Sequence, residues 1–225
     1  MGSKNKLKRF RENQTFENVI QPPRAVLEQD DFKLKGQWHQ KYFKNNQPIV
    51  LELGCGKGEY SLHLAAQNPE KNYIGIDIKG ARFWRGAKTA LEKQIPNIAF
   101  LRAQIELIDT LFDPHEVDEI WITFPDPQIK FKRAKHRLTH PEFLNKYKHI
   151  LRPGGKIHLK TDSEFLHGYT LGILDHPDYR LCYAHHDIYR NPHAPAQATA
   201  VQTFYEKMFL DQHKPITYLQ FEFSG

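Results

Sequence analysis

Residues 49–58 have the sequence IVLELGCGKG, in which an apolar run leads into three closely spaced glycines. The run has the length of one buried strand, and Tyr60, Leu62, Leu64 and Ala65 follow it with helical spacing. In a strand, loop and helix unit of this kind, glycines let the backbone approach a nucleotide-like ligand at the start of the helix. This stretch therefore predicts an α/β fold with a ligand site at the glycine loop.

Strands and helices alternate along the rest of the chain. Further buried strands are predicted at Tyr73–Ile76, Ile98–Leu101, Glu119–Phe124 and Lys156–Lys160, and helices at residues 83–91 and 141–150. A turn is predicted at residues 152–155 and a last strand at Ile216–Phe223, with Leu181–Ala184 as a weaker candidate partner. Such alternation is typical of a doubly wound, mostly parallel, Rossmann-like sheet.

The composition bounds the domain organisation and the class of partner. A chain of 225 residues with 40% hydrophobic residues can bury one core. We expect one domain at residues 46–225, preceded at residues 1–45 by a lead-in segment and a basic arm that contains Lys4, Lys6, Lys8, Arg9 and Arg11. Few apolar positions anchor the arm, which predicts that it is flexible. A net charge of +6 predicts an anionic partner, with nucleic acid as the leading candidate.

Several classes of protein and site receive no support from the sequence. No window approaches the roughly 18 apolar residues of a membrane span, and Met1–Arg11 lacks the apolar core of a signal peptide. We therefore expect a cytoplasmic protein without a membrane partner. Cys55 and Cys182 have no paired-ligand spacing, so neither a disulfide framework nor a zinc site is indicated. The 13 histidines are better explained as surface or hydrogen-bonded residues, and no bound metal is expected.

Two carboxylates are predicted to lie at the glycine loop. Glu52 precedes the loop on a buried strand, where a charge is costly unless a ligand donor or a nearby lysine meets it. Asp77 ends the second strand, where a carboxylate can accept hydrogen bonds from both hydroxyls of a ribose. The dinucleotide fingerprint G-x-G-x-x-G is not matched, because Glu59 stands in the place of its last glycine. NAD is therefore disfavoured.

Asp126 follows the fourth predicted strand within the sequence Phe124-Pro125-Asp126-Pro127. Ligands of open α/β sheets bind outside the carboxyl ends of the strands, so Asp126 is predicted to face the cleft. Pro125 fixes its own φ and Pro127 restricts Asp126 to extended geometry, which makes the backbone stiff. The alternative is an ordinary Pro-Asp turn.

Further polar residues follow the carboxyl ends of these strands. A dense positive run comes directly after Asp126: Lys130, Lys132, Arg133, Lys135, His136 and Arg137. Such a run is usually a solvated face, but beside a reaction centre it is better explained by phosphate contacts. Asp162 ends the fifth strand, where it can contact substrate or cap the next helix. Thr203–Glu206 opens a segment with helical spacing, and by itself indicates only a helix start.

Leu51–Gly58 resembles the first motif of S-adenosylmethionine-dependent methyltransferases. Together with Phe124–Pro127 and its basic run, Leu159–Asp162 and Thr203–Glu206, it is similar to the signatures of the bacterial tRNA (guanine-N7)-methyltransferase family, from about residue 48 to residue 223. The resemblance implies the class I methyltransferase fold, S-adenosylmethionine as cofactor and tRNA as partner. It also implies methyl transfer to N7 of a guanosine, at position 46 of the tRNA variable loop.

The resemblance implies a role for each matched residue. The implied cofactor contacts are Glu52, Gly54, Gly56, Asp77, Gln104 and Asp126, with Asp126 also catalytic. The implied substrate contacts are Lys130, Asp162, Thr203 and Glu206, and the implied RNA contacts are Lys132, Arg133, Lys135, His136 and Arg137. The chain departs from the family at two positions, with Gln128 where a Trp is usual and Gln104 where Asn or Asp is common.

The chemistry of the acceptor favours a mechanism based on orientation. N7 of guanine offers a lone pair and has no proton to remove, so an in-line displacement needs no general base and depends on positioning. We expect Asp126 or Asp162 to accept hydrogen bonds from the N–H edge of a guanine drawn out of its stack. Two alternatives remain open: an N-methyltransferase that acts on an exocyclic amine of RNA or DNA, and a non-catalytic RNA-binding module.

Overall fold

A computed structural model of the chain describes residues 3–224. Its strands are β1 (Val19–Ile20), β2 (Ile49–Leu53), β3 (Asn72–Ile76), β4 (Ile98–Leu101), β5 (Val117–Thr123), β6 (Leu151–Thr161), β7 (Tyr179–His185) and β8 (Thr217–Phe223). Its α-helices are α1 (Ser3–Asn13), α2 (Arg24–Glu28), α3 (Glu59–Gln67), α4 (Gly80–Glu92), α5 (Pro141–Ile150), α6 (Glu164–Leu174), α7 (Ala196–Thr199) and α8 (Phe204–Asp211). Shorter helical turns cover Trp38–Phe43, Ile105–Thr110, Phe131–His136 and Ile188–Arg190. None of the described helices is long and apolar enough to cross a membrane.

The strands form one eight-stranded sheet in the order β1-β4-β3-β2-β5-β6-β8-β7. The pairs from β1 through to β6 are parallel, and β8 pairs antiparallel with both β6 and β7. This confirms the predicted doubly wound, mostly parallel α/β fold. The chain order reverses between β2 and β5, and such a switch point opens a crevice at the carboxyl ends of the strands.

Register brings the predicted site residues to this crevice. Leu53 at the end of β2 pairs with Ile76 of β3 on one side and with Ile122 of β5 on the other. Glu52 and Asp77 lie next to these positions in the sequence and Asp126 follows the end of β5 by three residues, so all three belong to the same edge of the sheet. All residues of β2 and β3 are buried, as expected for strands covered on both faces by helices.

The N-terminal segment differs from the flexible arm that the sequence predicts. Helix α1 packs against α4, and β1 adds a parallel edge strand beside β4. The buried side chains of Asn13 and Asn18 donate hydrogen bonds of 2.9 Å to the backbone oxygens of Gly80 and Ala87 in α4. These polar contacts add to apolar ones, since Leu27, Phe32 and Trp38 are buried in the core of the sheet domain.

The predicted turn at residues 152–155 lies inside strand β6. Leu151 pairs with Val117 and Lys156 with Glu119, so the residues between them form an irregularity in the ladder. Pro153 has no N–H to donate, and Gly154 has a φ of +75°. These residues loop out of the ladder without ending the strand, in the manner of a β-bulge. Helix α5 ends at Ile150, as predicted.

Candidate active site

The glycine loop between β2 and α3 leaves open space at its first two glycines. Gly54, Gly56 and Gly58 have φ values of +73°, +56° and +74°. A Cβ on Gly54 would meet no atom within 4 Å, and one on Gly56 would meet only the Gly54 oxygen at 3.9 Å. A Cβ on Gly58 would lie 2.4 Å from the Phe100 ring. The first two glycines thus open the loop to a ligand, while the third lets the loop pack on the sheet.

The carboxylate of Glu52 is buried beside this loop. It accepts hydrogen bonds from the Ser61 amide at 2.9 Å and the Thr123 hydroxyl at 2.6 Å, and its side chain lines the cleft. Burial raises the pKa of Glu52 to about 7. Among the described residues no lysine or arginine forms an ion pair with it, so the lysine-paired alternative is not realised. A buried carboxylate without a cation fits the ammonium group of a ligand.

Asp77 joins the end of β3 to the glycine loop. One carboxylate oxygen accepts a hydrogen bond from the Gly56 amide at 3.1 Å, and the other accepts one from the Lys79 amide at 2.7 Å. Each oxygen keeps a second lone pair. The carboxylate can therefore accept hydrogen bonds from the hydroxyls of a ribose while it holds the loop.

The cleft at this edge extends beyond the residues that the sequence identifies. Arg82, Phe124 and Tyr205 line it together with Glu52 and the glycine loop. It shares Gly56, Lys57, Glu59, Arg82 and Tyr205 with a groove of about 720 Å³ between α1 and α4. Basic residues dominate the groove lining: Lys6, Arg9, Lys79, Arg85 and Arg102. Sequence reasoning missed this wall because α1 was expected to be flexible.

Asp126 is exposed on a rigid loop after β5. Its carboxylate accepts a hydrogen bond from the Gln128 amide at 3.0 Å. Phe124 and Gln128 have φ values of +47° and +46°, which non-glycine residues adopt only when the surroundings enforce it. Arg137 supplies part of that constraint, because its guanidinium donates to the Gln128 oxygen at 3.1 Å. The loop thus presents the carboxylate at the carboxyl edge of the sheet.

The basic run divides into exposed residues and one buried residue. Lys130 precedes the helical turn Phe131–His136, and Lys130, Lys132, Arg133, Lys135 and His136 are all exposed. Arg137 is only 5% exposed, donates to the oxygens of Gln128 and Ile129, and stacks 4.3 Å from the Tyr169 ring centre. Arg137 therefore has a structural role in this loop, and an RNA contact of Arg137 stays a prediction.

Asp162 follows β6 and is half-buried. Within the described residues its carboxylate accepts no hydrogen bond. Helix α6 is capped instead by Ser163, whose hydroxyl accepts a hydrogen bond from the Leu166 amide at 3.2 Å. The capping alternative for Asp162 is therefore not realised, and its carboxylate is available to a ligand.

Thr203 and Glu206 form a capping box at the start of α8. Thr203 lines the cleft. Glu206 is fully buried and pairs with the ammonium of Lys160 at 2.6 Å, and it also accepts a hydrogen bond from the Tyr189 hydroxyl at 2.7 Å. This internal ion pair fastens α8 to β6, and a substrate contact of Glu206 stays a prediction.

Gln104 lies after β4 and is half-buried. Its side-chain oxygen accepts a hydrogen bond from Arg24 at 2.9 Å, and it is not part of the cleft lining. A cofactor contact of Gln104 stays a prediction. No group of three or more histidine, cysteine, aspartate or glutamate side chains that could hold a metal is found among the residues that the structure describes.

Comparison with known proteins identifies the family. A family model described as a putative methyltransferase matches residues 46–219. A tRNA (guanine-N(7)-)-methyltransferase of Christiangramia forsetii is 63% identical over 99% of each chain. The chain belongs to the tRNA (guanine-N7)-methyltransferase family. A second member, from Porphyromonas gingivalis, is 47% identical and covers 92% of this chain and 85% of its own length.

Solved structures confirm the methyltransferase fold. The 16S rRNA methyltransferase KamB superimposes with a TM-score of 0.62 over 83% of this chain and 92% of its own, at 15% identity. A 16S rRNA (adenine(1408)-N(1))-methyltransferase variant from Catenulisporales acidiphilia, solved with S-adenosylmethionine, gives a TM-score of 0.51 over 84% and 91% of the two chains, at 14% identity. At these identities the likeness concerns the fold alone.

The cofactor of the family, S-adenosylmethionine, fits the residues of the cleft. Glu52 offers a buried carboxylate for its ammonium, and Asp77 offers acceptors for its ribose hydroxyls. The absence of a Cβ at Gly54 and Gly56 leaves room beside both carboxylates. The positive φ values of Gly54 and Gly56 favour glycine on backbone grounds, and the space that both residues leave suits a ligand.

We predict that cofactor affinity falls as the pH falls below about 7, because the raised pKa of Glu52 leaves its carboxyl group neutral there and unable to pair with an ammonium. The decrease should approach tenfold per pH unit. Glu52→Gln should bind weakly at every pH. Calorimetric titration measures the cofactor affinity of both proteins between about pH 5.5 and pH 7.5. This range lies below the usual pKa of an α-amino group, so the amino group of the cofactor stays charged throughout.

Thermal unfolding of the cofactor-free proteins provides the control. The Glu52 pKa rises from 4.5 to about 7 on folding, so ionisation destabilises the fold increasingly from pH 4.5 to pH 7. Glu52→Gln carries no such charge and should unfold at an equal or higher temperature at pH 8. Equal affinity of Glu52→Gln and wild type at about pH 7.5 would remove Glu52 from the ammonium site.

Proposed function

We propose that this chain transfers the methyl group of S-adenosylmethionine to N7 of a guanine in tRNA, and that the acceptor is guanosine 46 of the variable loop. The observation that carries the proposal is the position of Asp126, an exposed carboxylate that follows the cleft residue Phe124 in the chain and precedes a row of exposed basic residues. The relatives of this chain that are named tRNA (guanine-N(7)-)-methyltransferase support the same reaction. We further propose that residues 46–225 form the catalytic domain, with residues 1–45 as an accessory segment, and that the enzyme acts in the cytoplasm.

The reaction makes modest demands on the protein. Bound S-adenosylmethionine would supply an electrophilic methyl group, which the N7 lone pair accepts as the carbon–sulfur bond breaks, without removal of a proton. The protein must then hold the guanine in line with the cofactor and exclude water. The stiff loop after β5 suits this task because both its prolines and its hydrogen bond to Arg137 limit movement.

Asp126 and Asp162 provide acceptors for the guanine. β5 and β6 are neighbours, with Thr123 paired to Lys160, so both carboxylates follow adjacent strands. Asp126 uses one oxygen to accept the Gln128 amide, which leaves its second oxygen for a ligand. Hydrogen bonds to the N–H groups of the guanine would turn N7 away from the carboxylates. Because methylation places positive charge on the ring, these bonds strengthen as the transition state forms.

The exposed cations after Asp126 suit the tRNA backbone. Lys130, Lys132, Arg133, Lys135 and His136 follow the reaction centre without an intervening acidic residue. Phosphate contacts from such side chains position a nucleic acid without reading its sequence. They would hold the variable loop over the cleft while the acceptor guanine leaves its stack.

The direct test of the function uses unmodified tRNA transcripts and labelled S-adenosylmethionine. We expect 7-methylguanosine as the product and no incorporation when guanosine 46 is replaced by adenosine. Nucleoside analysis identifies the methylated atom and position. Formation of N2-methylguanosine or of 6-methyladenosine instead would contradict N7 transfer and favour the exocyclic-amine alternative. Methylation of the adenosine-46 transcript would contradict the proposed position.

Asp126→Ala is expected to slow methyl transfer while tRNA binding stays close to normal, since phosphate contacts remote from the base supply most of the affinity. Loss of a hydrogen bond to a charged acceptor costs about 1.5 to 3 kcal/mol, which is roughly a tenfold to hundredfold fall in the single-turnover rate. Asp126→Asn keeps an acceptor without the charge and separates the two contributions. A wild-type rate that rises with a pKa assigned to Asp126 would overturn the orientation mechanism.

Replacement of Lys132, Arg133 and Lys135 by alanine should weaken tRNA binding and reduce its dependence on salt. Each lost phosphate contact lowers the log–log slope by about 0.7 to 0.9. A matched control replaces Lys41, Lys44 and Lys93 by alanine. These residues are also exposed, but they precede strands and so lie at the amino-terminal edge of the sheet. Filter binding at several salt concentrations compares the two variants. Equal slopes in both would show that the run is only a solvated face.

A further inference from the structure

An unused aromatic side chain projects from the loop beside Asp126. Phe131 is 94% exposed and Ile129 is 67% exposed, the two highest values among the large hydrophobic side chains that are exposed in the described residues. Water contact of this extent is unfavourable for an apolar ring, and such residues often mark a binding surface. Neither residue takes part in the contacts assigned above to the cofactor, the guanine or the phosphates.

The backbone that carries these side chains is fixed. Arg137 donates to the oxygens of Gln128 and Ile129, and its guanidinium lies between the rings of Phe165 at 4.8 Å and Tyr169 at 4.3 Å. The Arg133 amide donates to the Lys130 oxygen at 2.9 Å, which closes a turn around Phe131. Phe131 is therefore held in an exposed position by the loop structure, and binding a ligand there requires little ordering of the backbone.

The charge around Phe131 selects the kind of ligand. Exposed lysine or arginine lies on both sides of it, at Lys130, Lys132 and Arg133, and no acidic residue occurs between Asp126 and Glu142. A flat apolar ring among cations matches a nucleobase joined to its phosphate, since bases stack on aromatic side chains while phosphates pair with lysine and arginine. A second copy of the chain would bring the same cations and a net charge of +6 to this surface, which opposes self-association.

We propose that Phe131 is a stacking platform for an unpaired base next to the acceptor guanine of the tRNA, with Ile129 extending the apolar contact. This inference rests on the proposed function and deepens it. A guanine that leaves its stack exposes the face of its neighbour, and a ring supplied by the protein replaces the lost stacking. Phe131 is thus a positioning residue, which acts on the open conformation of the RNA and not on the methyl group.

The test compares Phe131→Ala, Phe131→Leu and Phe131→Tyr. Loss of one base–aromatic stack should weaken tRNA binding about tenfold to a hundredfold in the alanine variant. The leucine variant should behave like alanine, because it keeps apolar bulk without an aromatic face, and the tyrosine variant should bind like wild type. The salt slope should stay unchanged in all three, because no phosphate contact is removed. Leu181→Ala, which changes another exposed apolar residue on β7, is the matched control.

A tRNA with 2-aminopurine beside guanosine 46 reports stacking directly. Its fluorescence should rise when the alanine and leucine variants bind, because the departing guanine leaves the face of this base uncovered, and should rise less with wild type and Phe131→Tyr, whose ring covers that face. The proposal would be overturned if Phe131→Ala bound tRNA with the same affinity as wild type, or if Phe131→Leu did so. If wild type forms no 7-methylguanosine while Phe131→Ala still loses tRNA affinity and gives the larger rise in fluorescence, the proposed function fails and the stacking site stands.

Discussion

The hydrogen bonds to the Glu52 carboxylate join the three elements that meet at the centre of the fold. Glu52 is the penultimate residue of β2, Ser61 belongs to α3 and Thr123 ends β5, so one side chain links two strands and a helix at the switch point. Neutral donors hold the carboxylate in place but leave its charge uncompensated, as its raised pKa shows. The buried charge of Glu52 therefore destabilises the fold until a cationic ligand pairs with it. Functional sites are commonly less stable than the structure around them.

Patterns that repeat along the chain were sufficient to predict the sheet and the cofactor loop. Buried strands such as Ile98–Leu101 are continuous apolar runs, and a helix joins each parallel strand to the next. The signals for strand and for helix are therefore both local in the sequence. The same logic placed Glu52, Asp77 and Asp126 together, because residues that follow parallel strands share an edge. Their roles toward cofactor and substrate remain predictions.

Single contacts between distant residues could not be predicted in this way. Asn18 is attached to Ala87 by one side-chain hydrogen bond, and a polar residue in a basic segment gives no sign of such a partner. Arg137 belongs to the basic run by its charge, yet its surroundings include Tyr169 from another helix. The role of each residue depends on the neighbours that the fold places beside it, and the composition of the chain does not specify those neighbours. Gly58 is a comparable case, since the clash with Phe100 exists only after the sheet has formed.

The pairing of Lys160 with Glu206 has a consequence for how the sequence can change over time. Both side chains are fully buried, and loss of one partner leaves the other as an isolated charge, at a cost of about 3 to 5 kcal/mol. That is a large share of the stability of a typical domain. A substitution at either position would therefore be removed by selection unless the other changed with it. Because both residues belong to stretches that resemble family signatures, we expect homologues to retain them as a pair, even though one lies on a strand and the other on a helix.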